Sequence, residues 1–143
     1  MASDSICVDD GPSFTTDKIF TAKDGTLIGI AGVLTDCLMF VKWYQAGMHY
    51  DALPTFSADS FNALTLNHHG CFFYDSKCVP ILMKDEYTSI GTGGAIANTC
   101  LFLGKSIEEA METASVLDPY TGGQLVFKKF IRKRRLSHIK NAH

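Results

Sequence analysis

The sequence predicts an α+β domain built on antiparallel strands, and three observations carry that prediction. Extended segments are joined by short hairpin turns. After one early helical segment, the remaining helical pattern is gathered in a block near the C-terminal third. Two small-residue turns, Ser89-Ile90-Gly91-Thr92-Gly93-Gly94 and Asp118-Pro119-Tyr120-Thr121-Gly122-Gly123, flank that block. Hairpins with helices segregated to the outer faces fit antiparallel sheets and not a parallel doubly wound one.

Taken in order, residues 3–8 alternate weakly and read as a strand, followed by the turn cluster Asp9-Asp10-Gly11-Pro12-Ser13. Residues 18–22 form a short strand, Lys23-Asp24-Gly25 an Asp-Gly type hairpin turn, and residues 26–32 an apolar strand. Gly29 in its middle implies a bulge or a close approach. Leu34, Cys37, Leu38, Val41 and Tyr44 recur at helical spacing, with Thr35 or Asp36 as cap and Gly47 as stop. Residues 48–60 read as irregular. The segments 61–66 and 71–74 make a second hairpin around Asn67-His68-His69-Gly70, and residues 79–83 and 87–90 run extended into the first glycine turn.

Residues 94–103 form an apolar helix closed by Gly104. Ser106-Ile107-Glu108-Glu109 is a capping box that opens a helix with the stripe Ile107, Ala110, Met111, Ala114 and Leu117. Pro119 stops it, and residues 125–131 are the last strand.

A chain of 143 residues is sized for one domain with a substantial core. No apolar run is long enough for a membrane span, and Met1-Ala2-Ser3-Asp4-Ser5 lacks the regions of a secretory signal. Five scattered cysteines without C-x-x-C read as reduced thiols, so the expected location is cytoplasmic. Charge is divided unevenly. Residues 1–127 carry all 15 acidic residues and six lysines, net −9, whereas residues 128–143 carry seven basic residues, net +7. The expected organisation is a domain over residues 1–127 with a basic tail over 128–143.

At the level of motifs, the chain resembles proteasome β-type subunits. It is similar to the peptidase subunits of HslUV-type bacterial proteases and to a compact proteasome-like group common in phages and prophages. Four segments over residues 2–127 carry the likeness: Ala2-Ser3-Asp4-Ser5, Asp17-Lys18-Ile19 followed by Ile28-Gly29-Ile30-Ala31-Gly32, Ile90-Gly91-Thr92-Gly93-Gly94, and Asp118-Pro119-Tyr120-Thr121-Gly122-Gly123. The resemblance implies a four-layer αββα sandwich of the N-terminal nucleophile (Ntn) hydrolase type, assembly into oligomers, and threonine-type peptidase chemistry without cofactor or metal. In such chemistry an N-terminal Thr is the nucleophile and its own amine the base. By resemblance, Asp4 and Lys18 are the charged pair beside it, Gly32 supplies an oxyanion N–H, and Thr92, Asp118 and Thr121 form the polar shell near the amine.

The resemblance also implies a strand and a nucleophilic Thr ahead of the Asp4 segment, where only three residues stand here. Two explanations fit: a start that lies upstream, favoured by the intact glycine turns and the Asp4–Lys18 pair, or a truncated, inactive relative. The expected function is a proteasome-like threonine-type peptidase subunit, inactive as it stands. The alternative is a non-catalytic scaffold or binding protein working through its groove or tail. Processing at Thr15-Thr16 is rejected, since it would discard Asp4.

Other readings are weaker. Asn67-His68-His69-Gly70-Cys71 with Cys78 matches no zinc spacing, and adjacent histidines in an extended segment project oppositely, so a hairpin tip is favoured. Cys7 and Cys37 read as core thiols. Gly91-Thr92-Gly93-Gly94 lacks the Lys-Ser/Thr of a phosphate loop. The tail, with Phe130 alone interleaved, is a poor stacking platform for nucleic acid.

Overall fold

The computed structural model describes residues 1–7 and 13–130. Five strands make the main antiparallel sheet, in the order β4 (Ile19–Thr21), β5 (Leu27–Gly32), β6 (Phe61–Asn67), β7 (Gly70–Tyr74) and β8 (Ile81–Met83). Two two-stranded pieces accompany it: β1 (Ala2–Ser3) with β9 (Val126–Phe127), and β2 (Ile6–Cys7) with β3 (Phe14–Thr15). Three helices cover the strands: α1 (Leu34–Gln45), α2 (Gly94–Phe102) and α3 (Ile107–Leu117).

The hairpins sit where the turn chemistry puts them. Between β4 and β5 the Asp24 carboxylate accepts from the Thr26 N–H at 2.9 Å. Between β6 and β7 the Asn67 side chain accepts from the His69 N–H at 2.9 Å, an Asx turn that fixes a two-residue loop. Register along β5 and β6 runs from Leu27 opposite Leu66 to Gly32 opposite Phe61. Because side chains alternate, Ile28, Ile30, Phe61, Ala63 and Tyr74 face α1, and Gly29, Leu64, Leu66 and Cys71 face the other way.

The α1 side is a continuous aromatic core. Phe40 is fully buried, with ring centroids 5.1 Å from Tyr74, 5.3 Å from Phe61 and 6.0 Å from Trp43. On the opposite side, α2 and α3 pack on each other, and α3 packs on β1. The architecture is therefore helix, sheet, a second and much thinner strand layer, and helices: an α+β sandwich in which the inner layer on the α2–α3 side consists, among the described residues, of two-residue strands.

Several local expectations hold in detail. Ser106 and Glu109 form the reciprocal capping box of α3, Gly47 follows the end of α1 with φ 107°, and Gly104 follows α2 with φ 82°. Others are corrected. The segment read as one strand over 3–8 is broken after Ser3, because the N–H groups of Ser5 and Ile6 both donate to Gly122 O and leave the ladder. Residues 87–90 form no strand. Neither Thr35 nor Asp36 caps α1: both lie inside it behind Val33, and Asp36 accepts from the Ser57 N–H at 3.3 Å. The α3 stripe is buried at Ala110 and Ala114, but Leu117 is 64 % exposed. The hairpin-tip reading of His68 and His69 holds: the two residues form the turn itself, and their rings lie 3.9 Å apart.

Past Phe127, where β9 ends, the backbone of Lys128 is still bonded to Met1. Lys128 N donates to Met1 O at 2.8 Å, and the Met1 amine donates to Lys128 O at 2.6 Å. The strand read over 125–131 is shorter than expected: only Val126–Phe127 is a strand and residues 128–130 are not, while Ile131 and the basic residues from Arg132 to Lys140 lie outside the described residues. Among the described residues no helix is long and apolar enough to cross a membrane.

Candidate functional site

Two polar clusters meet along one cleft. The first is an ion pair: Lys18 Nζ stands 2.8 Å from Asp4 Oδ1, with both side chains largely buried. Lys18 is placed just ahead of β4 and Asp4 just after β1. The second oxygen of Asp4 accepts the Gly122 N–H at 3.1 Å. The carboxylate is thus held from both sides, and the 118–123 turn sets the position of the pair.

The second cluster is built on Asp118, the residue that closes α3 and is 7 % exposed. Its Oδ2 accepts the Thr92 hydroxyl at 2.5 Å and the Thr121 hydroxyl at 2.7 Å, and its Oδ1 accepts the Tyr120 N–H at 3.2 Å. The hydroxyl bonds from Thr121 and Thr92 hold the Asp118 carboxyl below its ordinary value of 3.8. Each threonine spends its proton on Asp118, which leaves the hydroxyl lone pairs free to accept from a third group such as an amine.

Glycine is required at two places here. Gly32 ends β5 at φ 119°, and a side chain there would run into the Ser60 carbonyl. Gly93 lets the first glycine turn lie against the second: a Cβ on it would come within 2.6 Å of Thr121 Oγ1. Ser89 locks the same turn by donating its hydroxyl to Gly94 O at 2.6 Å.

Asp4, Lys18, Gly32, Thr92 and Thr121 line one cleft of about 850 Å³, with Asp118 set behind the two threonines. The cleft runs between the face of the main sheet that carries Gly29 and Leu64 and the helix face that carries Ala97 and Ala110. All six residues singled out in the sequence are therefore assembled in or against a single groove. Sequence reasoning missed the Gly122 N–H and the Ser89 hydroxyl that hold them. Backbone donors carry no signature in the sequence, although Gly122 lay within a segment already singled out.

Three thiols, those of Cys7, Cys37 and Cys71, also line the cleft. All five cysteines are free, and burial pushes the Cys37 and Cys78 thiols up to about 11, the opposite of an activated nucleophile. Among the described residues no three His, Cys, Asp or Glu side chains cluster as metal ligands would.

The architecture has relatives among solved structures. The chain superposes on BPH of Thiobacillus denitrificans in complex with epoxomicin with a TM-score of 0.67 at 13% identity, over 87% of this chain and 88% of that one. It superposes on eukaryotic HslV from Trypanosoma brucei with a TM-score of 0.66 at 15% identity, over the same shares of each chain. The fold is the HslV-like, proteasome β-type Ntn-hydrolase fold. No protein-family model matches the sequence, and no curated protein sequence does. In the Ntn-hydrolase sandwich seen here, α1 is one outer layer, α2 and α3 the other, and the cleft opens within the inner layers.

Proposed function

We propose that the cleft is the substrate groove and nucleophile socket of a proteasome-like threonine-type peptidase subunit that works in the cytoplasm as part of a homo-oligomer. The observation that carries this reading is the pairing of two unlike clusters in one groove. Lys18, fixed by Asp4, supplies a positive charge that favours deprotonation of a neighbouring amine or hydroxyl. Thr92 and Thr121, both donating to Asp118, present acceptor lone pairs suited to holding an amine. An N-terminal Thr needs both: an amine kept neutral and oriented as base, and a hydroxyl in a field that stabilises its alkoxide. Gly32, which ends β5 and lines the cleft, is the candidate for the backbone N–H donor to the developing oxyanion.

Among residues 1–143 the α-amine is that of Met1, and it bonds to Lys128 O rather than to the Asp118 cluster. The reading requires a Thr whose own amine reaches the Asp118 cluster, which the Met1 amine, bonded to Lys128 O, does not. The test is hydrolysis of fluorogenic peptides by a purified chain carrying a Thr-led extension ahead of Met1. Turnover that falls at least about 100-fold on Lys18→Ala supports the reading, since groups that stabilise reacting charge are commonly worth that much. A folded, extended chain with no turnover contradicts it and favours the scaffold alternative, to which the free groove is equally suited.

A further inference from the structure

We infer that the cleft selects peptides with cationic side chains, and that Asp59 at one end and Asp85 with Glu86 at the other are the residues that select them. The inference rests on the reading of the cleft as a substrate groove and names the class of substrate it takes.

The charge around the cleft is one-sided. The charged side chains that line it are Asp4, Lys18, Asp59, Asp85 and Glu86. Lys18 and Asp4 neutralise each other at 2.8 Å. Asp59, Asp85 and Glu86 are exposed and have no ion-pair partner among the described residues. Met1 also borders the cleft, but its amine is spent on Lys128 O, and burial disfavours its charge. Three carboxylates around a hollow of about 850 Å³ with largely apolar walls focus a negative potential into it, which concentrates cations and repels anions.

The sheet register sets the carboxylates apart. Asp59 stands two residues ahead of Phe61, which lies opposite Gly32. Asp85 and Glu86 follow β8, whose last residue, Met83, lies opposite Cys71, and Cys71 lies opposite Leu66. The two groups therefore flank the two ends of β6, and the stretch from Phe61 to Leu66 spans about 17 Å. An extended peptide reaching from one end to the other turns every second side chain to the same face. Two cationic residues separated by five others meet both ends at once.

The Asp59 end adjoins the candidate oxyanion donor. Gly32 lies against the Ser60 carbonyl, one residue from Asp59. The Asp59 N–H donates to Ser76 Oγ at 3.2 Å, which ties this residue to the turn after β7. Beside it the Ser60 hydroxyl lines the cleft, buried and without a hydrogen-bond partner. Such an atom calls for a partner. A guanidinium has N–H donors enough for the Asp59 carboxylate and the Ser60 oxygen together, whereas an acidic side chain meets repulsion from Asp59.

The experiment reads binding and not turnover, by fluorescence anisotropy of labelled peptides on the full 143-residue chain. The probe is a peptide of about ten residues, of Ala, Leu and Ser, with two Arg separated by five residues. One control carries Gln in place of both Arg, and another places the two Arg side by side. Two triple variants with the same charge change are compared. Asp59→Asn with Asp85→Asn and Glu86→Gln alters the cleft, whereas Asp51→Asn with Glu108→Gln and Glu112→Gln alters exposed acids that do not line it. The probe should bind at least about fivefold more tightly than either control, a modest factor because single exposed ion pairs are weak. The cleft triple should lose that preference and the surface triple should keep it. Should the cleft triple fail to fold, the preference for spaced over adjacent Arg on the unaltered chain decides alone. Equal affinity for the Arg and Gln peptides overturns the proposal. So does an equal loss in both triples, which would mean attraction by overall charge. Binding without charge preference overturns the selection and leaves the groove reading in place, whereas no binding of any peptide overturns both.

Discussion

The two faces of the main sheet differ in how completely they are filled. Against α1, the rings of Phe40, Trp43, Phe61 and Tyr74 interlock around Ile28, Ile30 and Ala63. On the other face Gly29, Leu64 and Leu66 look across a cleft of about 850 Å³ toward small residues of α2 and α3. The candidate site is confined to the second face. The difference teaches a division of labour: the packed half holds the fold in place, and the open half gathers the polar groups along the cleft.

The largest effect should come from breaking the packed half. Phe40→Ala empties the centre of four aromatic contacts and should cost about 3–5 kcal/mol in urea denaturation. A loss below about 1 kcal/mol would mean that this half is not the stabilising one.

A smaller effect is expected where the open half is tied together. Asp4→Ala removes the acceptor for both Lys18 and the Gly122 N–H and should cost about 1–3 kcal/mol. Asp4→Asn keeps one acceptor for Gly122 and should cost less. Equal losses would show that the charge on Asp4, and not the tether to the 118–123 turn, decides the matter.

Much of this division was legible in the sequence. Amphipathic spacing announced α1 and α3, the Asp-Gly and Asn-His-His-Gly turns announced both hairpins, and the capping box at Ser106 announced a helix start to the residue. These signals are local, and local chemistry decides them. All six candidate residues were also singled out, because they sit in four segments whose likeness to a known fold extends over residues 2–127. What was not legible depends on contacts between distant segments. The break at Asp4-Ser5 arises from Gly122, more than a hundred positions away. The pair of β3 residues, Phe14 and Thr15, is a strand only because β2 lies beside it. The cap role given to Thr35 and Asp36 failed because the chain enters α1 from Val33, whose N–H is already taken by Ser60 O.

The pH dependence sharpens the comparison with a smaller effect still. Asp118 has a folded-state value below its ordinary 3.8, so its contribution to stability is complete above 3.8 and is lost as pH falls through the lower folded value. Acid titration followed by melting should show this loss in the wild-type chain and a flatter profile in Asp118→Asn. The Met1 amine acts in the opposite direction. Lowered by burial, it binds a proton less readily folded than unfolded, so stability should rise as pH climbs toward 8.0. Acetylation of the amine should remove that slope.

The difference between the two faces is tested most directly by making one substitution on each. Ala63 is fully buried on the α1 face, and Ala110 is buried against the cleft. Ala63→Leu overpacks a filled core and should destabilise the chain by about 1–3 kcal/mol. Ala110 is only 1 % exposed but borders the cleft, so Ala110→Leu should cost at least about 1 kcal/mol less than Ala63→Leu. Denaturation midpoints for the two variants, measured side by side, should show that difference. Equal destabilisation by both would mean that the cleft is as tightly filled as the core, and the account of an open, site-bearing half would fail.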